Sequence, residues 1–236
     1  MLKNILPNKV LSLNSNIIRT LTIIMIFFLI IGFIYAIFLS PPDYVQGDSV
    51  RIMYVHVPSS FIAMGCFAFM GLSSIVSLTF KIKFMPLIAK SLAAIGFSFA
   101  LISMVTGSLW GKPTWGVWWV WDARLTSMLI LFFFYFAYIL AWKFIEPFEK
   151  ADRVTSIIAI VGLFNLPIIK YSVDWWNTLH QSSSIKLTSP PTIHYTMLIP
   201  LLIMLLVMVI YSLIIFLMKY KIEIINFKIE KKRNKK

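Results

Sequence analysis

The sequence predicts an all-α integral membrane protein of six transmembrane helices, with a tryptophan-rich outer-face loop between the third and fourth. Three observations predict it. Only 13% of the 236 residues are charged and 59% are hydrophobic, about half the charge with which an ordinary soluble domain covers its surface. The apolar residues fall in runs of about 20, the length that crosses roughly 30 Å of hydrocarbon. Within those runs charges are nearly absent, as expected when a central lysine or aspartate costs about 2.5–3.5 kcal/mol to insert.

The spans are placed in order at 20–39, 59–80, 86–109, 124–143, 154–171 and 194–218. The first resembles a secretory signal, but it exceeds the roughly 7–15 residues of an apolar signal core and no A-x-A-type site follows, so it is read as a retained span. The second begins after His56-Val57-Pro58 and holds Cys66, the single cysteine. One thiol forms no internal disulfide, and the absence of CxxC and CxxCH excludes dithiol redox work and covalent c-type haem attachment. The fourth span follows Asp122 and Arg124, which read as a pair or as the cap of that helix. The six spans make one domain, 1–219, and 220–236 reads as a basic cytoplasmic tail. The net charge of +13 raises nucleic-acid binding, but much of it sits in that tail, where it attracts anionic lipid instead; no nucleic-acid partner is expected.

Orientation follows from lysine and arginine in the loops. With six spans both termini share a side, and only Arg51, Lys112, Arg124, Lys170 and Lys186 of the 22 basic residues fall on the other. Both termini are therefore expected in the cytoplasm, with loops near 40–58, 110–123 and 172–193 facing outward. The outward loops carry Pro41-Pro42, Gly111-Lys112-Pro113 and Pro190-Pro191, residues that break helices and shape loops.

The loop from Trp110 to Arg124 holds five tryptophans, at 110, 115, 118, 119 and 121. An interfacial belt explains indoles at headgroup level, but belts form at both interfaces, and only Trp142 of eight lies on the inner side; Trp175 and Trp176 add to the outer set. The alternative is a platform for a large flat apolar ligand, since indoles present broad faces and one N–H each. Gly111 and Gly116 allow close approach and sharp turning. A surface helix over 115–122 would align Trp115, Trp118, Trp119 and Asp122 on one side.

All three histidines, His56, His180 and His194, are expected on the outer side. His56 and His180 flank the tryptophan loop in sequence, each in an outer loop, and a helical turn would separate Trp176 from His180. Imidazole suits iron, and a flat macrocycle takes axial ligands above and below. A zinc site is disfavoured for lack of cysteine or His-x₃-His pairing. The reading is non-covalent haem, haem b, held at the outer surface by His56 and His180 as iron ligands, with indoles around it. Arg51 and Arg124 are candidates for its propionates, since guanidinium suits carboxylates; a helix-flanking role is equally open for each. For His194 the reading is a hydrogen-bonded interfacial residue.

At this point the residues resemble a known family. Trp115-Gly-Val-Trp118-Trp119-Val-Trp121-Asp122 looks like the WWD motif of haem-handling membrane proteins. With Arg51-Ile-Met-Tyr-Val-His56-Val-Pro58, Asp122-Ala-Arg-Leu-Thr-Ser127 and the stretch from Asn165 through Trp175-Trp176 to His180-Gln181, it is similar to the cytochrome c maturation protein C family, also called haem exporter protein C. The resemblance covers about 20 to 218. It implies a six-span protein of the bacterial cell inner membrane, or of mitochondria, with its loop facing the periplasm and His56 and His180 as axial haem ligands. It implies delivery of haem to a periplasmic haem chaperone, maturation protein E. It implies as partners the ATP-binding-cassette (ABC) transporter pair, maturation proteins A and B, and a further small membrane protein, maturation protein D, with the lipid bilayer as surroundings. On this reading the chain is a lyase-like transfer scaffold more than a classical enzyme. The alternatives are a haem permease or exporter component of an ABC-type complex, which should show paired broken helices or repeat symmetry, and an assembly component whose tryptophans are partner contacts.

Overall fold

A computed structural model describes residues 15–176, 178–180 and 190–233; Lys3, Lys9, Lys186, Lys235 and Lys236 of the charge count lie outside them. Six helical segments are long and apolar enough to cross a membrane, and among the described residues the only β pairing is an isolated bridge between Asp43 and Gly47. The segments are α1 Ser15–Ile34, closing in a wider turn over Tyr35–Leu39; a 3₁₀ turn Asp48–Ile52 leading into α2 Met53–Phe80; α3 Met85–Trp115; α4 Ala123–Phe144; α5 Phe148–Leu163 with α6 Asn165–Trp175; and α7 Tyr195–Arg233.

Backbone groups in hydrocarbon have no water to bond, so the spans are helical throughout. The core lies where α2, α3 and α4 meet, around Phe67, Met70, Ala93, Ala100, Leu131 and Tyr135. Small residues let the backbones approach there. A side chain on Gly96 would occupy the space of the Tyr135 ring, and the Tyr135 hydroxyl donates to Ala63 O at 2.6 Å, so one tyrosine joins three helices. Gly71 faces Leu163 and Gly162 faces Phe67 in the same way, drawing α5 onto α2. By contrast α1 is peripheral: 11% of its apolar window is buried, and its Gly32 sits against Ile203 and Met204 of α7.

Three expectations are corrected. The second span begins at Met53, not 59, and carries Pro58 inside it, where the missing N–H leaves Tyr54 O without its helical partner. The fifth span is interrupted at Phe164, where α5 hands over to α6. Pro167 has no N–H for the carbonyl four residues back, and such a missing bond is an ordinary cause of a break. The sixth helix does not stop near 218 but runs to Arg233, 39 residues in all, about 58 Å at 1.5 Å per residue and far longer than the hydrocarbon. Tyr220 and Ile224 of this extension are buried against Leu87, with Phe148 and Phe227 alongside, and Glu223 pairs with Lys90 at 2.8 Å. The basic segment after 219 thus continues the helix, packed at Tyr220 and Ile224 and exposed over most of its remaining length.

The Gly96–Tyr135 contact leaves no room for growth. Gly96→Leu is expected to destabilise the bundle by about 1–3 kcal/mol, the usual cost of overpacking, read as a fall in the thermal midpoint in detergent; an unchanged midpoint would show that the contact is not tight.

Candidate functional site

At one end of the bundle α3 closes on Gly116, in the left-handed region at φ 78°, whose N–H bonds Lys112 O. From there the chain is non-helical until Asp122, extended at φ −91°, ψ 169°, starts α4. The surface helix expected over 115–122 is therefore absent: a glycine at positive φ ends one helix, and an aspartate cap begins the next. The tryptophans fan out from this bend. Trp115 lies back over the last turn of α3, made possible by Gly111, where an added Cβ would meet the Trp115 ring at 3.0 Å. Trp118 is half-exposed beneath the Lys112 ammonium, 5.8 Å from its ring centre. Trp119 packs edge-on to Trp121 at 5.6 Å, with Trp121 75% exposed.

His56 is not in a loop. It lies in the first turn of α2, because that helix starts earlier than its hydropathy suggests. Its Nδ1 faces Ser103 O at 3.0 Å and Thr106 Oγ1 at 3.2 Å, its Cε1 lies 3.0 Å from where a Gly107 side chain would begin, and its ring meets Trp110 edge-on at 5.7 Å. Ser103, Thr106, Gly107 and Trp110 recur at i, i+3, i+4 and i+7, one stripe of α3 that seats the imidazole. Trp110 in turn donates from Nε1 to Gln46 Oε1 at 2.9 Å.

His180 lies beyond the end of α6. That helix ends at Trp175, and Trp176 is extended, so the helical spacing expected between Trp176 and His180 is not formed. The imidazole instead meets Asp122 Oδ2 through Nδ1 at 3.0 Å and the Trp115 ring edge-on at 4.8 Å. Burial pushes its pKa below the ordinary histidine value, outweighing the opposing pull of Asp122, and Arg124 pushes the same way.

In both rings the Nδ1 partner includes an oxygen that only accepts, a carbonyl for His56 and a carboxylate for His180. In the neutral ring the proton therefore sits on Nδ1, which leaves the Nε2 lone pair free. A metal-binding histidine is oriented by the same kind of bond. His180 and Arg124 are both within electrostatic reach of His56.

The remaining candidates are placed as follows. Arg124, on the first turn of α4, is flanked by the charges of Asp122 and Asp174. Arg51 pairs with Asp48 at 3.3 Å and donates to Ser40 O at 3.2 Å, while its Nε is buried without an acceptor, as is Trp119 Nε1. Trp175 stacks on Tyr171 at 5.4 Å and meets Trp176 at 5.7 Å, both half-exposed. His194 bonds Thr196 Oγ1 at 2.9 Å, an ordinary hydrogen-bonded residue at the start of α7.

The family model described as heme exporter protein C matches residues 1–235. The chain belongs to the heme exporter protein C family. It is 40% identical over 198 residues to the heme exporter protein C of Bradyrhizobium diazoefficiens, covering 84% of this chain and 75% of that one. With the protein of the same name from Escherichia coli K12 it shares 43% over 179 residues, 76% of this chain and 73% of that one. A Marchantia polymorpha protein, named for mitochondrial cytochrome c biosynthesis, is 44% identical over 197 residues, covering 84% and 83%.

For this heme exporter protein C family member the sequence left the seat of His56 unread. Ser103, Thr106 and Gly107 look like unremarkable residues of a membrane helix; the one signal was their shared stripe with Trp110. It also offered for Asp122 a choice between cap and site, and the structure gives both: Oδ1 accepts from Leu125 N at 2.8 Å while Oδ2 holds His180. Asp122→Ala is expected to cost at least about 1 kcal/mol, the usual effect of a lost N-cap, whereas Asp122→Asn keeps the cap and stays within a few tenths. Thermal midpoints in detergent distinguish them; equal losses would mean that the cap is not what the carboxylate contributes.

Proposed function

We propose that this chain holds haem b on its outward face, with His56 and His180 as axial ligands, and passes it to a soluble haem chaperone during cytochrome c maturation. The observation that carries the reading is the matched state of the two imidazoles: each is fixed through Nδ1 by a bond to another segment, leaving Nε2 free. The relatives' names, heme exporter protein C and a mitochondrial protein of cytochrome c biosynthesis, support the same chemistry.

Haem would bring an iron that takes two axial nitrogens, and two propionate carboxylates. The chain's own residues divide the work. Ser103 and Asp122 hold the ligand rings in the neutral tautomer. Trp115 and Trp110 wall the two histidines, and Trp118, Trp119, Trp121, Trp175 and Trp176 supply the apolar surface of an open platform. Arg124 is the favoured propionate partner, because it stands beside His180 and Asp122; Arg51 Nε and Trp119 Nε1 are buried donors with no acceptor of their own. An exposed platform suits cargo that must leave: half-exposed indoles contact an acceptor without the protein opening. The acceptor is the periplasmic chaperone, maturation protein E; the ATP-binding-cassette pair, maturation proteins A and B, and the small membrane protein, maturation protein D, are the further partners. Such placement has the histidine end in the periplasm of a bacterial inner membrane and both termini in the cytoplasm, as the lysine and arginine bias requires.

A permease would draw on the interrupted fifth span. The break does not serve it: Phe164 is 75% exposed on the apolar surface, and the Asn165 amide is taken up by Ser127 O at 2.8 Å.

Detergent-purified protein from a haem-replete host is expected to show a Soret band with low-spin features, lost or shifted in His56→Ala and His180→Ala. Gly107→Ala, which adds only a methyl against the His56 ring, and Asp122→Asn should retain the fold yet hold haem about 10–100-fold less tightly, as loss of an orienting partner does. Absence of haem from folded wild type would sink the reading. Topology is checked with single cysteines in a Cys66→Ser background: Tyr44→Cys should react with an impermeant maleimide applied from outside, and Lys231→Cys should not.

A further inference from the structure

The end of the bundle away from the histidines holds a second feature. About 24 Å along α3 from Thr106, counting 1.5 Å per residue, a groove of about 190 Å³ opens between α3, α4 and the extended part of α7. Its rim is charged and its wall is not. Lys90, Lys143 and Glu223 form the rim; Ala93, Ala94 and Ile139, about one turn deeper into the spans, form the wall. The Lys90 ammonium is fixed by Glu223 at 2.8 Å and lies 5.1 Å from the centre of the Trp142 ring. Trp142 and Tyr138 also line the groove, with the buried indole Nε1 beside the Tyr138 hydroxyl. Lys143 has only the Phe144 ring beside it, at 5.5 Å, and no ion pair among the described residues.

We propose that this groove binds one anionic glycerophospholipid, its phosphodiester at Lys90 and Lys143 and an acyl chain along Ala93, Ala94 and Ile139. Charge selects the headgroup. Two ammoniums against one carboxylate leave a single positive charge, which a phosphodiester with an uncharged head neutralises; a choline or ethanolamine head would bring a cation next to two lysines. Shape selects a lipid over a free anion, because an apolar wall runs inward from the rim. The long-range field favours it too: the exposed part of α7 carries Lys219, Lys228, Lys231, Lys232 and Arg233 against Glu230, and such juxtamembrane clusters attract anionic lipid. The site depends on the helical continuation of α7, since Glu223 both completes the rim and holds Lys90. It is independent of haem.

The test uses the full chain, stripped of lipid in mild detergent and then given equal amounts of phosphatidylglycerol and phosphatidylcholine, with bound lipid counted by native mass spectrometry. One phosphatidylglycerol per chain should persist in preference to phosphatidylcholine. Lys143→Gln, an exposed change that leaves the fold alone, should weaken its retention about fivefold, the factor that one lysine near an anionic surface carries. Ala94→Trp should remove it by filling the groove. Millimolar inorganic phosphate should not displace it. Equal retention of the two lipids, unchanged retention in Lys143→Gln, or displacement by phosphate would each overturn the proposal, as would a partner protein seated on the groove in the native membrane.

Discussion

Everything in this bundle follows from the cost of an unmet hydrogen bond in hydrocarbon. The backbone satisfies itself by staying helical, and the hydroxyls follow it inward. Thr22, Ser59, Ser60, Ser91, Thr155 and Ser212 each donate to the carbonyl four residues back, so they are carried within spans with little penalty. Several side chains that do not satisfy themselves in this way reach another helix, and those bonds give the bundle its register. Tyr135 reaches Ala63 O, Asn165 reaches Ser127 O and His56 reaches Ser103 O. The imidazole is thus one of the pins that align α2 with α3, and its orientation is as fixed as the packing.

The second histidine is held differently. His180 lies beyond the last turn of α6 and takes its orientation from Asp122, whose other oxygen caps α4. One carboxylate therefore ties the start of a transmembrane helix to a histidine outside any helix, and Trp115 and Arg124 complete the setting. The two histidines differ in kind: His56 is built into helix packing, whereas His180 depends on a single polar joint. Release of a cargo would begin where the structure is held by the least.

The two ends of the molecule are chemically opposite. At the histidine end the exposed groups are indoles, with few charges and free donors on Trp119 and Arg51. At the other end ammoniums predominate, with Lys90 paired to Glu223 beside an apolar groove. A flat amphiphilic cargo would suit the first end and a charged lipid the second, and α7 adds Lys219, Lys221, Lys228, Lys231, Lys232 and Arg233 to the basic loop residues there.

The sequence by itself determined the number of spans, the sidedness of the tryptophans and the histidines as the metal-binding candidates. These properties add along the chain: transfer free energy sums over a window, and the bias in lysine, arginine and tryptophan is a count. Only the tertiary structure decided what depends on pairs far apart. That Met53 starts a helix, that Gly116 ends one where a surface helix was expected, and that α7 runs past its apolar stretch to pack Tyr220 against Leu87 are choices made by neighbours. The same holds for the site. Whether Asp122 caps or orients rests on a contact between residues 58 apart, and which α3 residues receive His56 on one between residues 47 apart; hydropathy carries no term for either.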